Sequence, residues 1–289
     1  MELWFIYAVA SALFGGLHTF VLKVAAVRNH GADANTTITS LCSAAVGWLL
    51  VLIFNLHETQ LGFLILFAVF GGTLYSFGAA ARVESLKCID TTIFFPLYKV
   101  IGPLVAVVAG IFIFSETLDM FEIFGIVLSL IVPLLLLHRD EKTRQKSLTR
   151  GLLLLLLSVA LIMLAHVTNK HATSLFDNMI LFVALTHTFT FLVSVMLWHR
   201  HSIKNGTKLT KTITSNLIYV GMLSGFLQFA GFYTILKAFE LGALSVVFTV
   251  NSLYIVIPIA LSIIIYKEHW NARKVFAIVL SIVALAFLK

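Results

Sequence analysis

The sequence predicts an all-α integral membrane protein with ten transmembrane helices, arranged as two inverted five-helix repeats. Three observations carry this prediction: the composition, the lengths of the apolar runs, and matches between the two halves of the chain. Of the 289 residues, 60% are apolar and 11% are charged, and the mean hydropathy is +1.02. Soluble domains are about half apolar and about a quarter charged, so the composition excludes an ordinary soluble protein.

Apolar runs of about membrane-spanning length divide the chain into ten segments. A helix needs about 20 residues to cross a bilayer core. The first run lacks the basic start and cleavage site of a secretory signal, so we expect it to be the first span. Short polar stretches separate the runs, which leaves no room for a soluble domain. The runs cover residues 3–22, 36–55, 61–81, 89–114, 121–137, 150–168, 178–198, 214–236, 243–266 and 274–288.

Short matches recur in the same order in the two halves of the chain. The string IVLS occurs at 126–129 and again at 278–281, and PLYKVIG at 96–102 overlies SLYIVIP at 252–258. Because five is an odd number, two tandem five-span copies must have opposite orientations in the membrane. Secondary transporters commonly have this arrangement, with the substrate site at the repeat interface. We therefore predict a first repeat at 1–140, a basic linker loop at 141–150 and a second repeat at 151–289.

The fourth span of each half runs into a glutamate. These stretches are IFIFSETLD at 111–119, which contains Glu116, and IIIYKEHWN at 263–271, which contains Glu268. With ten spans in two halves, this pattern resembles the drug/metabolite transporter superfamily and, within it, the EamA-type transporters. The resemblance extends over the whole chain and implies a secondary carrier for a small organic solute, without naming the solute.

One feature departs from the pattern of that family. Family repeats commonly carry a proline about 13 residues before the glutamate. Pro103 has this spacing from Glu116, but Pro258 is closer to Glu268. We therefore expect the ninth span to bend at a different depth from the fourth.

Lys99 lies in the middle of the apolar stretch FFPLYKVIGP, which covers residues 94–103. In a helix that starts near residue 89 it is roughly 15 Å deep, at 1.5 Å per residue. A lysine at the bilayer centre costs at least ~2.5–3.5 kcal/mol, and such residues usually face a cavity or a partner. Lys99 is therefore the first candidate to bind substrate; the alternatives are a snorkelling side chain or a pair with Glu84 or Glu240.

Prolines flank this lysine and recur in the second half. Pro96, Pro103 and Pro258 are candidate kinks or hinges. A proline removes the hydrogen-bond partner of the carbonyl four residues earlier, which frees the carbonyl of Lys99 in one half and of Tyr254 in the other. In a membrane a free carbonyl needs protein or cavity water; the alternative is an ordinary kink packed on a neighbouring helix.

Further polar residues are candidates to line a central cavity. Asn251 occupies the repeat position of Phe95, and Tyr98 and Tyr254 flank the polar centre that Lys99 and Asn251 would form. In the family that the chain resembles, spans 1, 3, 4, 6, 8 and 9 line the cavity. The resemblance therefore adds His18, His166, Gln228 and Tyr75. For the histidines, a hydrogen bond between helices is an equally good explanation, and His187 is a further mid-span histidine with a possible gating role.

Acidic residues are absent from the middle of every predicted span. We interpret Glu116 and Glu268 as structural caps, since carboxylates stabilise helix N-termini. The single mid-membrane charge is therefore positive, which favours solutes that carry a carboxylate or a phosphate, an amino-acid-like solute included.

We therefore predict a secondary active transporter or exchanger of a small organic metabolite that works by alternating access. The alternatives are a broad-specificity exporter and, from another class, a non-transporting membrane partner of a lipid-handling complex. No enzyme motif, metal site or cofactor motif is found. The expected partners are the solute and the lipid bilayer of a plasma or bacterial inner membrane, with no nucleic acid, and the chain is expected to be a monomer or a homodimer.

Overall fold

The computed structural model is described here for residues 2–27, 32–89, 91–136, 147–205, 214–267 and 272–289, and within these ranges all regular structure is helical. The first half holds α1 (Leu3–Val27), α2 (Ala32–Ile53), α3 (Leu61–Leu86), α4 (Thr91–Phe114) and α5 (Met120–Leu135). The second half holds α6 (Leu148–Thr173), α7 (Met179–Asn205), α8 (Ser215–Leu241), α9 (Leu244–Ser252), a 3-10 turn (Leu253–Ile255), α10 (Val256–Tyr266) and α11 (Ala272–Phe287).

These helices make the chain a multi-pass membrane protein. Eight segments are long and apolar enough to cross a bilayer, and the eighth of them, Leu244–Ile265, combines α9, the 3-10 turn and most of α10. The helix α5 is apolar but shorter, and α11 has 16 residues. Together they match the ten predicted runs, although α3, α6 and α8 each continue about five residues beyond the apolar run that predicted them.

The main contacts between helices are the same when each helix is exchanged for its counterpart in the other half of the chain. In that exchange α1 corresponds to α6, α2 to α7, α3 to α8, α4 to the ninth span and α5 to α11. The pair α1–α8 then maps onto α6–α3, and the pair α2–α8 maps onto α7–α3; all four pairs are in contact. The pairs α2–α7, α4–α9 and α5–α11 map onto themselves and are also in contact. This is the contact pattern expected of two five-helix units related by a pseudo-two-fold axis.

The fourth span of each half also ends in the same backbone conformation. Ser115 has φ 53° and Lys267 has φ 54°, and each directly precedes the glutamate of its repeat. Both residues lie in the left-handed region that ends helices. The repeat predicted from the sequence is thus visible in the backbone.

Small residues and backbone hydrogen bonds hold the central helices close together. A Cβ at Gly78 would lie 2.6 Å from the side chain of Ile162, and Ser158 donates a 2.8 Å hydrogen bond to the Gly78 carbonyl. Ser11 donates to the Gly231 carbonyl at 2.9 Å. Such small-residue contacts supply packing where lipid gives no hydrophobic drive between helices, and they fix α3 on α6 and α1 on α8.

The ninth span is interrupted, whereas the fourth is continuous. Pro96 and Pro103 lie inside the single helix α4. In the ninth span the 3-10 turn Leu253–Ile255 separates α9 from α10, and Pro258 is the third residue of α10. The ninth span therefore departs from regular α-helix, whereas the fourth does not, and the expected difference in the depth of the two bends stays a prediction.

Candidate functional site

A central cavity of about 180 Å³ lies between the two halves. A single water needs roughly 10–15 Å³ of such volume, so the cavity has room for a small organic molecule. Side chains from α1, α3, α4, α6, α7, α8, α9 and the 3-10 turn line it. All eight substrate-site candidates from the sequence lie on this cavity: His18, Tyr75, Tyr98, Lys99, His166, Gln228, Asn251 and Tyr254.

Lys99 lies at this cavity and is 9% exposed. Its Nζ is 3.4 Å from the centroid of the Tyr254 ring, which belongs to the opposite half. An ammonium over an aromatic face is attracted by the ring, by about 2 kcal/mol when desolvated. Glu84 pairs instead with Lys87, and Glu240 pairs with Lys237. Pairing of Lys99 with either carboxylate, an alternative left open by the sequence, is therefore not found.

A second cation, Arg82, lies at the same cavity and is missing from the sequence-based candidates. Its guanidinium is hydrogen-bonded to the Tyr98 side chain and interacts electrostatically with Tyr75 and Tyr254, which line the same cavity. The apolar run that marks the third span ends at 81, so Arg82 reads as a loop residue, whereas α3 continues to Leu86. The signal that could have found it is spacing: Tyr75 and Arg82 are seven residues apart, which places them on one helix face.

Carboxylates are absent from the cavity lining among the described residues. The partners of the two cations are therefore tyrosines: Lys99 lies on the ring of Tyr254, and Arg82 is hydrogen-bonded to the Tyr98 side chain. A buried charge without an opposite charge is costly. The arrangement is electrostatically incomplete, and a bound anion would complete it.

Histidines from three helices reach the cavity, and only part of their hydrogen-bonding capacity is used. Nε2 of Gln228 is 3.4 Å from Nδ1 of His187. His166 packs edge-on against Phe248, with ring centroids 4.9 Å apart. The buried atoms Nε2 of His18, Nδ1 of His166 and Nε2 of His187 have no hydrogen-bond partner in the described part of the chain. The sequence left a hydrogen bond between helices open for His18 and His166; the bond of this kind described here is made by Nδ1 of His187.

Asn251 and the tyrosines are partly engaged by their neighbours. Asn251 donates a 2.8 Å hydrogen bond to the hydroxyl of Ser11, which joins α9 to α1 across the halves. Tyr98 stacks on the fully buried ring of Phe94, with centroids 5.6 Å apart. Asn251 and Tyr98 are therefore held in fixed positions at the cavity wall.

Glu116 lies outside the cavity and caps a helix of the other half. It accepts hydrogen bonds from the backbone N–H groups of Leu244 and Ser245, at 2.5 and 3.1 Å, and from the Ser245 hydroxyl at 2.6 Å. The sequence predicted a cap at the turn into the next helix. That helix, α5, is instead capped by Asp119, while Glu116 caps α9. Glu268 lies outside the described residues.

The second half of the chain, residues 149–289, matches the model of the EamA-like transporter family. The match spans 141 of the 289 residues, and it shows that this half of the chain is EamA-like. The matched range is close to the second repeat predicted at 151–289, and the boundary of the first repeat stays a prediction. Members of this family, part of the drug/metabolite transporter superfamily, are membrane transporters rather than enzymes, so the transporter has a small-molecule substrate.

Solved structures agree with the fold of this EamA-like transporter. A protein described only as a crystal structure of a protein aligns with a TM-score of 0.77 over 97% of this chain and 95% of its own chain, at 15% identity. At that identity the likeness concerns the fold alone. No curated protein matches the sequence. The chemistry of the cavity therefore has to be argued from its own residues.

Proposed function

We propose that this EamA-like transporter carries a small organic solute with a carboxylate or phosphate group, by alternating access between the two repeats. The observation that carries the proposal is the pair of cavity cations, Lys99 and Arg82, without a carboxylate among the described lining residues. Both cations come from the first half; Lys99 contacts the ring of Tyr254 of the second half, and Arg82 interacts with Tyr254 electrostatically. An anion held there would bridge both halves, at the place where repeat transporters bind their substrates.

The cations have complementary roles in this proposal. Arg82 offers a planar fork of N–H donors that suits the two oxygens of a carboxylate or phosphate, whereas Lys99 supplies a compact charge. Hydrogen bonds to charged groups contribute about 1.5–3 kcal/mol each. Loss of one cation is therefore expected to weaken anion binding by about 10- to 100-fold.

The interrupted ninth span supports movement at this point. Tyr254 lies in the 3-10 turn, and Pro258 removes the helical partner of its carbonyl. Short 3-10 stretches inside helices often mark hinges. In the proposed cycle, rotation of α9 against α10 at this turn moves Tyr254 relative to Lys99 and opens the site to one side.

The test is a thermal-stability titration of the purified protein. A ligand that binds the native state at 100 times its Kd adds about 2.7 kcal/mol of stability. The probes are succinate, inorganic phosphate, alanine and the lipophilic cation tetraphenylphosphonium. Wild type is compared with Lys99→Met and Arg82→Gln, and with two exposed-site controls, Lys87→Met and Arg150→Gln. We expect the anions to stabilise wild type and both controls, and to lose their effect in the two cavity variants.

The same experiment separates the other functions. If only tetraphenylphosphonium stabilises the protein, a broad-specificity exporter replaces the anion carrier, since the cavity also has aromatic walls at Phe232 and Phe248. Uptake of a labelled anion into liposomes by the purified chain alone would exclude a non-transporting partner of a lipid-handling complex. Light scattering in detergent distinguishes the monomer from the homodimer.

A further inference from the structure

A second polar cluster lines the cavity beside the two cations, formed by His18 of α1, His187 of α7 and Gln228 of α8. Gln228 and His187 are in hydrogen-bonding contact at 3.4 Å, and His18 lines the same cavity and interacts with His187 electrostatically. His187 is 4% exposed. Its Nε2 and the Nε2 of His18 are buried without a partner among the described residues. Buried polar atoms are rarely left unpaired, so the cluster has unused capacity to bind a ligand.

One small molecule can reach this cluster and the cations together. The ring of Tyr254 lies 3.4 Å from where a Cβ of Gly15 would be, and Lys99 lies on that ring. His18 is three residues further along α1, about 4.5 Å by helix rise. His18 also interacts electrostatically with Arg82. The cluster and the cation pair are therefore neighbouring parts of a single site.

The chemistry of the cluster selects an uncharged group. Imidazole and carboxamide side chains offer both donors and acceptors, which suits a hydroxyl, since a hydroxyl also donates and accepts. A substrate ammonium would instead add a third positive charge beside Lys99 and Arg82, in a cavity whose described lining holds no carboxylate. Like charges at such distances repel. The site therefore disfavours zwitterions even though it attracts their carboxylate.

We propose that His18, His187 and Gln228 form a subsite for a hydroxyl group of the substrate, so that the carrier takes hydroxylated organic anions in preference to plain anions and amino acids. This inference rests on the proposed function, because it assumes that Lys99 and Arg82 bind the anionic group. It narrows the substrate class from small organic anions to hydroxy acids and phosphate esters of polyols.

The test uses probes that share one carbon skeleton. Succinate, malate and aspartate carry hydrogen, hydroxyl and ammonium at the same carbon; propyl phosphate and glycerol 3-phosphate form a phosphate pair. Apparent Kd values are measured by thermal-stability titration of the full-length protein. We expect malate to bind about 3- to 10-fold more tightly than succinate or aspartate, which is the order of one well-placed hydrogen bond between uncharged groups. The phosphate pair should show the same preference for hydroxyls.

Two variants of Gln228 and one control test whether the preference for hydroxylated probes comes from the cluster. Gln228→Leu should reduce the malate-to-succinate ratio to about twofold or less. Gln228→Glu keeps the shape, adds a carboxylate and should shift the preference towards aspartate, which a merely structural residue would not do. Tyr219→Phe, on the exposed face of the same helix α8, should leave all ratios unchanged. If Gln228→Leu does not fold, the relative affinities of Gln228→Glu and wild type for malate and aspartate still test the subsite.

The outcomes distinguish this inference from the function on which it rests. Equal affinity for malate and succinate, both dependent on Lys99, overturns the hydroxyl subsite and leaves the anion carrier standing. Tightest binding of aspartate by wild type also overturns the subsite. If none of the five probes stabilises wild type, the anion carrier itself fails and the subsite with it.

Discussion

The contact between Glu116 and α9 gives a stability prediction that can be worked from the structure. The carboxylate accepts three hydrogen bonds at the start of α9, two of them from backbone N–H groups. Loss of a helix N-cap costs about 0.5–2 kcal/mol, and hydrogen bonds to a charged group contribute about 1.5–3 kcal/mol. We therefore expect Glu116→Ala to lower the free energy of unfolding by about 2–4 kcal/mol, and Glu116→Gln by about half of that.

Gly110 provides an independent route to the same loss. A Cβ at this position would overlap Oε2 of Glu116 and lie 3.2 Å from Cβ of Ser245. The three hydrogen bonds hold the carboxylate in place, so Gly110→Ala must displace it from α9. Both changes then remove the same interaction, and the double variant should cost about 1–2 kcal/mol less than the sum of the single variants, as coupled residues do.

The assay is reversible unfolding in mixed micelles, followed by tryptophan fluorescence. Glu84→Ala is the control, because its pair with Lys87 is about half exposed and exposed pairs contribute at most about 1 kcal/mol. The reasoning is refuted if Glu116→Ala costs no more than Glu84→Ala. It is also refuted if the effects of Gly110→Ala and Glu116→Ala are simply additive.

Three further predictions follow from the packing. Gly225→Ala would place its Cβ 2.5 Å from Cβ of Cys42 and 2.8 Å from the Thr39 carbonyl, so it should destabilise the protein by about 1–3 kcal/mol in the same unfolding assay. Gly62→Ala, in α3 with no atom within 4 Å, should instead stabilise it by about 0.5–1 kcal/mol; equal effects of the two changes would contradict the packing argument. Asp119→Ala breaks the capping box at α5 and should cost about 1 kcal/mol, detectable as earlier amide exchange in the first turn of that helix and nowhere else.

Helix identity and membrane insertion follow from the sequence because both are decided locally. A run of apolar residues long enough to cross the bilayer must satisfy its backbone groups within itself, so each run predicts a helix without knowledge of its neighbours. The ten runs and the repeat matches accordingly predicted the fold. The buried position of Lys99 followed in the same way, because a charge in the middle of such a run cannot lie in a loop.

The helix ends were less predictable, with consequences for the site. Arg82 lies beyond the apolar run but within α3, because its guanidinium is solvated by tyrosines of the cavity rather than by lipid or loop water. Hydropathy measures the cost of facing lipid. When a polar residue near a helix end faces a cavity, the hydropathy pattern therefore places the end of the span too early.

The sequence by itself determined the helices, the repeat and a single buried lysine. Only the tertiary structure decided which polar residues meet: Arg82 with Tyr98, His187 with Gln228, and Glu116 with the start of α9. These partners lie on different helices and in several cases in opposite halves, so no periodicity within one helix encodes them. The physical reason is that the inverted arrangement of the halves, rather than any local pattern, sets which helix faces point into the shared cavity.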